Sequence, residues 1–346
     1  MRILVVRLSS LGDVVHAIPV TATLRKSFPA ARIDWVIDER YRDFVDLVSV
    51  VDHRISVPTG QRVLTRFPGL VRELRSVHYD VAIDLQGLWK SALIARVSGA
   101  KRVIGFEAAH LREPSSKCLY TEVLPVGSVT HIIEKNLALV AHLGACTDEW
   151  EFPINECPSE VVVCVRKLMD IKSDENFVLI NPGAAWSSKR WQPEHFGLLA
   201  QQLSKLYQMK SAVLWGPGEE TLAKMVVAAS AGAAVITPPT NLIDLVALAR
   251  AATVMVAGDT GPLHVAAAVH TPVVGVYGPS NPKRNGPWMS EDVAVSRFET
   301  CGCQKKRSRP SGVVVRRCVQ RSSCLSGISV EDVTKAVEQR LKHVSV

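Results

Sequence analysis

The chain has 346 residues, 47% of them hydrophobic and 21% charged, the composition of a globular protein long enough for two domains. No run approaches the twenty apolar residues that cross a bilayer. The N-terminal MRILVVRLSSLGD, its apolar part broken by Arg7, reads as a buried strand rather than a signal peptide, which predicts a cytoplasmic protein. The net charge of +8 points to acidic partners such as nucleotide phosphates, anionic lipid or nucleic acid; seven basic residues and no acidic one lie between Lys305 and Arg321.

Residues 2–8 are rich in Ile, Leu and Val, as a strand covered on both faces should be. They run into Ser9-Ser10-Leu11-Gly12-Asp13, after which Val14, Val15, Ile18, Val20 and Leu24 repeat with helical spacing. A strand, a Gly loop and a helix in this order suit a nucleotide-binding unit, although GxGxxG and GxxxxGK[ST] are both missing. Asp13 either caps the helix or stands at the carboxyl end of the first strand, where open α/β sheets place their chemistry. Strands are expected at 33–37, 81–84 and 101–105, with a helix through Arg96 and another over 130–143. Arg62 and Arg66 share one face of a helix, and Arg112 lies in a polar loop.

Pro153, Pro158 and a charged helix mark a boundary within 147–175. Beyond it the alternation resumes: strand 177–181, helix 194–207, strand 212–215, helix 219–229, strand 233–236 and helix 242–250. A strand ending in Gly258, a small-residue helix and a strand after Pro272 follow, and a last helix spans 330–342. This rhythm argues for a parallel sheet in each half.

Three loops of the second half follow strand carboxyl ends. They are Asn181-Pro182-Gly183 through Trp186-Ser187-Ser188-Lys189-Arg190-Trp191, then Trp215 to Glu219-Glu220, then Gly258-Asp259-Thr260-Gly261. A helix opening on Thr, Gly and Pro offers unpaired N–H groups and a positive dipole end to a phosphate. With the cationic pair and the two glutamates, the set suits a nucleotide diphosphate joined to a polyol. Each piece also has an ordinary explanation: solvated cations, a core tryptophan, a helix start.

Leu8-Ser9-Ser10-Leu11-Gly12-Asp13-Val14-Val15-His16, Asp84-Leu85-Gln86-Gly87-Leu88, Asn181-Pro182-Gly183, Lys189-Arg190-Trp191 and Gly258-Asp259-Thr260-Gly261-Pro262-Leu263-His264 together resemble the ADP-heptose:lipopolysaccharide heptosyltransferases of glycosyltransferase family nine. The resemblance implies two Rossmann-like domains with parallel sheets facing across a cleft, the GT-B type. The N-terminal domain, 1–160, would bind acceptor and the C-terminal domain, 175–328, nucleotide sugar, with helix 329–346 returning to the first. It implies inverting, metal-independent transfer of heptose from ADP-heptose to an inner-core acceptor, either Kdo-lipid A or heptosyl core, with no cofactor. Asp13 would be the general base and Lys189 would neutralise the departing ADP. Ser187, Ser188, Glu219, Glu220, Asp259, Thr260, Gly261 and His264 would bind donor, and Ser10, Gly12, Arg62, Arg66 and Arg112 the anionic glycolipid. No Asp-x-Asp occurs to hold a bridging metal.

Cys301, Cys303, Cys318 and Cys324 resemble a cysteine-rich loop of some family members; they would be reduced, bridged or a structural metal site. The basic run around them suits peripheral contact with the inner membrane's cytoplasmic face. A transferase for another nucleotide sugar, a nicotinamide oxidoreductase and a nucleic-acid-binding protein are the competing readings. The second lacks the fingerprint glycines, and the third lacks aromatics among its basic residues.

Overall fold

The computed structural model describes residues 1–58, 62–127, 131–301 and 324–343, the side chains of 62–64 excepted. Two compact units divide at 156/157, inside the boundary segment read from the sequence.

The first unit is a six-stranded parallel sheet in the order β3-β2-β1-β4-β5-β6. Its strands are β1 (Arg2–Val6), β2 (Arg32–Asp38), β3 (His53–Val57), β4 (Val81–Asp84), β5 (Arg102–Phe106) and β6 (Glu122–Leu124). The intervening helices are α1 (Leu11–Val15), α2 (Ile18–Ser27), α3 (Arg42–Asp46), α4 (Arg62–Val77), α5 (Trp89–Val97) and α6 (Ile132–Ala141). β1 sits between β2 and β4, its Val5 level with Trp35 and Ile83. All of β4 and everything but the first residue of β1 are buried, which is why both read as unbroken apolar runs.

The second unit repeats the plan, with order β12-β11-β10-β7-β8-β9. Its strands are β7 (Phe177–Asn181), β8 (Lys210–Val213), β9 (Ala234–Ile236), β10 (Val254–Gly258), β11 (Val273–Tyr277) and β12 (Val293–Ser296). Its helices are α7 (Glu160–Met169), α8 (Pro193–Tyr207), α9 (Glu220–Ala229), α10 (Leu242–Ala251), α11 (Gly261–Ala268), α12 (Pro282–Asn285) and α13 (Val330–Leu341). Read from β9 inward, the order matches that of the first unit, and both are the doubly wound order of a Rossmann fold.

The last helix, expected to return to the first domain, packs instead on α8, β11 and β12 of the second unit. Val333, Ala336 and Val337 join the core that holds Phe196, Leu199 and Leu203 of α8. Arg340 Nε donates to Asp292 Oδ1 at 2.7 Å, both side chains nearly or fully buried. Among the described residues no helix is long and apolar enough to cross a membrane.

Candidate active site

Parallel α/β sheets bind ligands beyond the carboxyl ends of their strands, where the strand order reverses. In the first unit that point lies between β1 and β4. The loop leaving β1 turns into α1, and Ser10 donates from its backbone N–H and its hydroxyl to Asp13 Oδ2, at 3.1 and 2.9 Å. The other carboxylate oxygen meets Arg7 Nη2 at 2.5 Å. Arg7 is 7% exposed and Asp13 37%. The guanidinium also donates to the Leu85 carbonyl of the neighbouring loop, and the Arg7 carbonyl accepts from the Trp35 indole at 3.0 Å. Asp13 is therefore held from two sides while remaining open to solvent.

The loop after β4 is fixed by Asp84, which is fully buried. Its Oδ1 accepts from the N–H groups of Gln86 and Gly87 at 2.8 and 3.3 Å. Its Oδ2 accepts from Ser91 Oγ and Tyr120 Oη at 2.9 and 2.7 Å. Burial pushes its carboxyl above the usual range in spite of those bonds. The loop in turn positions Gln86, whose Oε1 accepts from the Leu8 N–H at 2.7 Å, tying the two loops together. Gly105 is what lets Tyr120 reach in: a Cβ there would lie 2.3 Å from its ring.

Gly87, at φ +71°, lies so close to Leu111 that a Cβ would be 2.8 Å from its side chain, which seats exposed Arg112 against this loop. Arg66 is exposed on α4, after the edge strand β3; the Arg62 side chain lies outside the described ones.

In the second unit the order reverses between β7 and β10, with β8 beside β7, so the three candidate loops leave adjacent strands. Lys189, in the 3-10 turn Ser187–Lys189, pairs with Asp259 Oδ2. Asp259 Oδ1 accepts from Asn285 Nδ2 at 2.6 Å and lies 3.5 Å from His264 Nε2. Burial alone would raise the Asp259 carboxyl, but the His264 hydrogen bond and the Lys189 charge outweigh it and hold the group well below the usual range. An ionised, partnered carboxylate thus sits just ahead of α11, whose N-cap Thr260 makes no side-chain capping bond. The amides of that first turn are the orphan donors a phosphate can take.

Glu219 turns back onto the Asn-Pro-Gly loop, lying 3.4 Å from Arg190 Nη2; a Cβ on Gly183 would be 2.0 Å from its carboxylate. Arg190 Nε also donates to the Ala184 carbonyl at 2.9 Å, and Asn181 Nδ2 to the Gly183 carbonyl at 3.2 Å. The arrangement is an amide-lined mouth whose lysine and arginine are each held by a carboxylate, suited to a phosphorylated ligand that can take over those cations.

The profile of glycosyltransferase family 9 (heptosyltransferase) matches residues 69–313. The chain belongs to glycosyltransferase family 9. It is similar to lipopolysaccharide heptosyltransferase 1 of Pseudomonas aeruginosa, 28% identical over 315 residues that cover 88% of this chain and 87% of the relative. Among solved structures it resembles the glycosyl transferase family 9 from Veillonella parvula DSM 2008, with TM-score 0.81, 23% identity and coverage of 99% and 97% of the two chains. It also resembles E. coli heptosyltransferase WaaC with ADP-2-deoxy-2-fluoro heptose, with TM-score 0.73, 22% identity and coverage of 98% and 99%. Family 9 membership makes the chain a glycosyltransferase, and the shared fold is that of the GT-B heptosyltransferases.

Within this family 9 chain the structure gathers Lys189, Asp259 and His264 into one network, with Thr260 and Gly261 at the same helix mouth. Ser188 is half-buried and Ser187 exposed in the same turn. Glu220 is apart from the network, in the first turn of α9 and paired with Lys224 at 2.8 Å. Trp191 is core, its indole donating to the Ile328 carbonyl at 3.0 Å. Cys301 and Cys324 bring their sulfurs to 3.1 Å, whereas Cys303 and Cys318 lie outside the described residues. Among the described residues no three His, Cys, Asp or Glu side chains are gathered as a metal site.

Three contributors were not singled out from the sequence: Arg7, Asn285 and Asp84 as an organiser. The charge at Arg7, inside an otherwise apolar strand, was the available signal. A cation there must be partnered, and Asp13 is its partner.

Proposed function

We propose that this glycosyltransferase moves heptose, with inversion, from ADP-heptose to a lipopolysaccharide inner-core acceptor, Kdo-lipid A or heptosyl core. The observation that carries the reading is the pair of loop clusters at equivalent sheet reversals: a positioned carboxylate in one unit and a lysine-bearing helix mouth in the other. The names of the similar proteins support it, one a lipopolysaccharide heptosyltransferase and one solved with a fluorinated ADP-heptose.

The acceptor is held by the first unit through Ser10, Gly12 and Arg112, with Arg66 reaching its anionic groups. Asp13 takes the proton from the acceptor hydroxyl as that oxygen attacks the anomeric carbon. The bond from the anomeric carbon to the ADP oxygen breaks, and the leaving diphosphate carries the developing negative charge. Lys189 and the first amides of α11 stabilise that charge without a bridging metal. Binding of the diphosphate competes for Lys189 with Asp259, which remains partnered by Asn285 and His264. Glu219 binds donor hydroxyls, together with Ser187 and Ser188.

Calorimetric titration of the full chain with ADP, UDP and GDP, without added metal, tests the donor assignment. Selective ADP binding is expected. Preference for UDP or GDP would transfer the same chemistry to another nucleotide sugar, and no binding would remove the donor site altogether.

A further inference from the structure

The helix that follows the Asp84 loop presents a face the transfer chemistry does not use. α5 buries Ser91, Ala92, Ile94 and Ala95 against the sheet. Its outward stripe is Trp89, Leu93 and Arg96, spaced i, i+4, i+7, with exposed Lys90 alongside. Trp89 and Leu93 are 45% and 41% exposed, and α5 contains no acidic residue. The 3-10 turn Pro114–Leu119 packs beside it, its Ser115 Oγ accepting from the Trp89 indole at 3.0 Å, and adds exposed Lys117. The nearby carboxylate, Glu113, is spent on the Trp89 backbone N–H at 2.7 Å.

We infer that this face docks on an anionic lipid surface. An indole with an apolar body and a satisfied N–H suits the depth of the headgroups, and Leu93 one turn on extends the insertion. Lys90 and Arg96 on the same helix and Lys117 on the adjoining turn add charge complementary to anionic headgroups, where each cation adds to binding. An apolar pair alone would fit another protein as well; the excess of cations over carboxylates on α5 and the 3-10 turn selects the lipid. Position agrees: Trp89 opens α5 directly after the loop that hydrogen-bonds the Asp13 loop through Gln86, so a bilayer held here lies beside the edge where acceptor is bound. The inference rests on the proposed glycolipid acceptor for its purpose but not for its test.

The test is co-sedimentation of the full chain with phosphatidylcholine vesicles, with and without phosphatidylglycerol, comparing Leu93→Glu and Arg96→Glu. Wild type is expected to bind only the anionic vesicles, and each variant to lose roughly tenfold or more in affinity, since Leu93→Glu replaces an inserted apolar group with a repelled charge and Arg96→Glu turns attraction into repulsion. Both variants should keep wild-type turnover on a water-soluble, deacylated acceptor. Wild-type vesicle binding by both variants would overturn the inference. So would a wild-type dimer, with no vesicle binding, that Leu93→Glu converts to monomer, because a second copy would then be the occupant. The vesicles carry neither donor nor acceptor, so failure of the transfer reaction leaves this result readable.

Discussion

Arg7 and Asp13 form a 2.5 Å ion pair in which the cation is buried and the carboxylate open to solvent. Five residues of chain separate them, and the turn through Ser9 and Ser10 folds Asp13 back over the end of β1. The pair fixes the carboxylate rotamer rather than shielding it. Arg7→Met is therefore expected to lower kcat by roughly a hundredfold, the scale of a small misplacement of a reacting group, with ADP affinity unchanged. Arg7→Lys should fall between, because an ammonium cannot span both Asp13 and the Leu85 carbonyl as a guanidinium does. Initial rates together with calorimetry check both.

Asp84 tests the scaffold rather than the chemistry. Asp84→Ala leaves two amides and two hydroxyls without their acceptor in a fully buried position, which should cost roughly 3 kcal/mol of stability. Tyr120→Phe removes one of those donors and should cost about 1 kcal/mol. Chemical denaturation of the two variants measures the difference.

The Asp259 network predicts a dependence on acid. Its folded carboxyl lies below the ordinary value, so it contributes stability above the unfolded value of about 3.9, lost as pH falls towards the folded one. Asp259→Asn removes that term. The wild-type melting temperature should fall more steeply than that of the variant below about pH 4.

Arg340 and Asp292 anchor α13 in the second unit. Burial raises the Asp292 carboxyl, and its Oδ2 finds no partner among the described residues. Arg340→Ala leaves that carboxylate buried without its cation and should destabilise by about 3–5 kcal/mol. Arg340→Met with Asp292→Leu should recover most of the loss, which denaturant titration would show.

Central strands were legible in the sequence because a strand buried on both faces is a continuous apolar run, as in β1, β4, β7, β10 and β11. β3, β6 and β12 were not: each lies at a sheet edge, where β3 mixes exposed with buried positions and neither β6 nor β12 has a fully buried residue, so none is the long apolar run of a covered strand. Loops with Gly, Asp and Thr marked the candidate mouth at α11, because the residue types that turn a chain sharply are also those that meet phosphate. What stayed hidden depends on contacts distant in sequence. Arg7 donates to Leu85 across 78 residues and Tyr120 to Asp84 across 36, and local spacing carries neither. The last helix shows the same limit: its amphipathic pattern specified a packed face, but not that α8 and Asp292 would receive it.

The most direct test of the central claim is release of ADP from ADP-heptose by wild type and Asp13→Ala, with a Kdo-lipid A acceptor and parallel ADP calorimetry. A positioned general base predicts a loss of roughly 10²–10⁴ in turnover, with ADP affinity within about twofold of wild type. Turnover by Asp13→Ala at the wild-type rate would contradict the account.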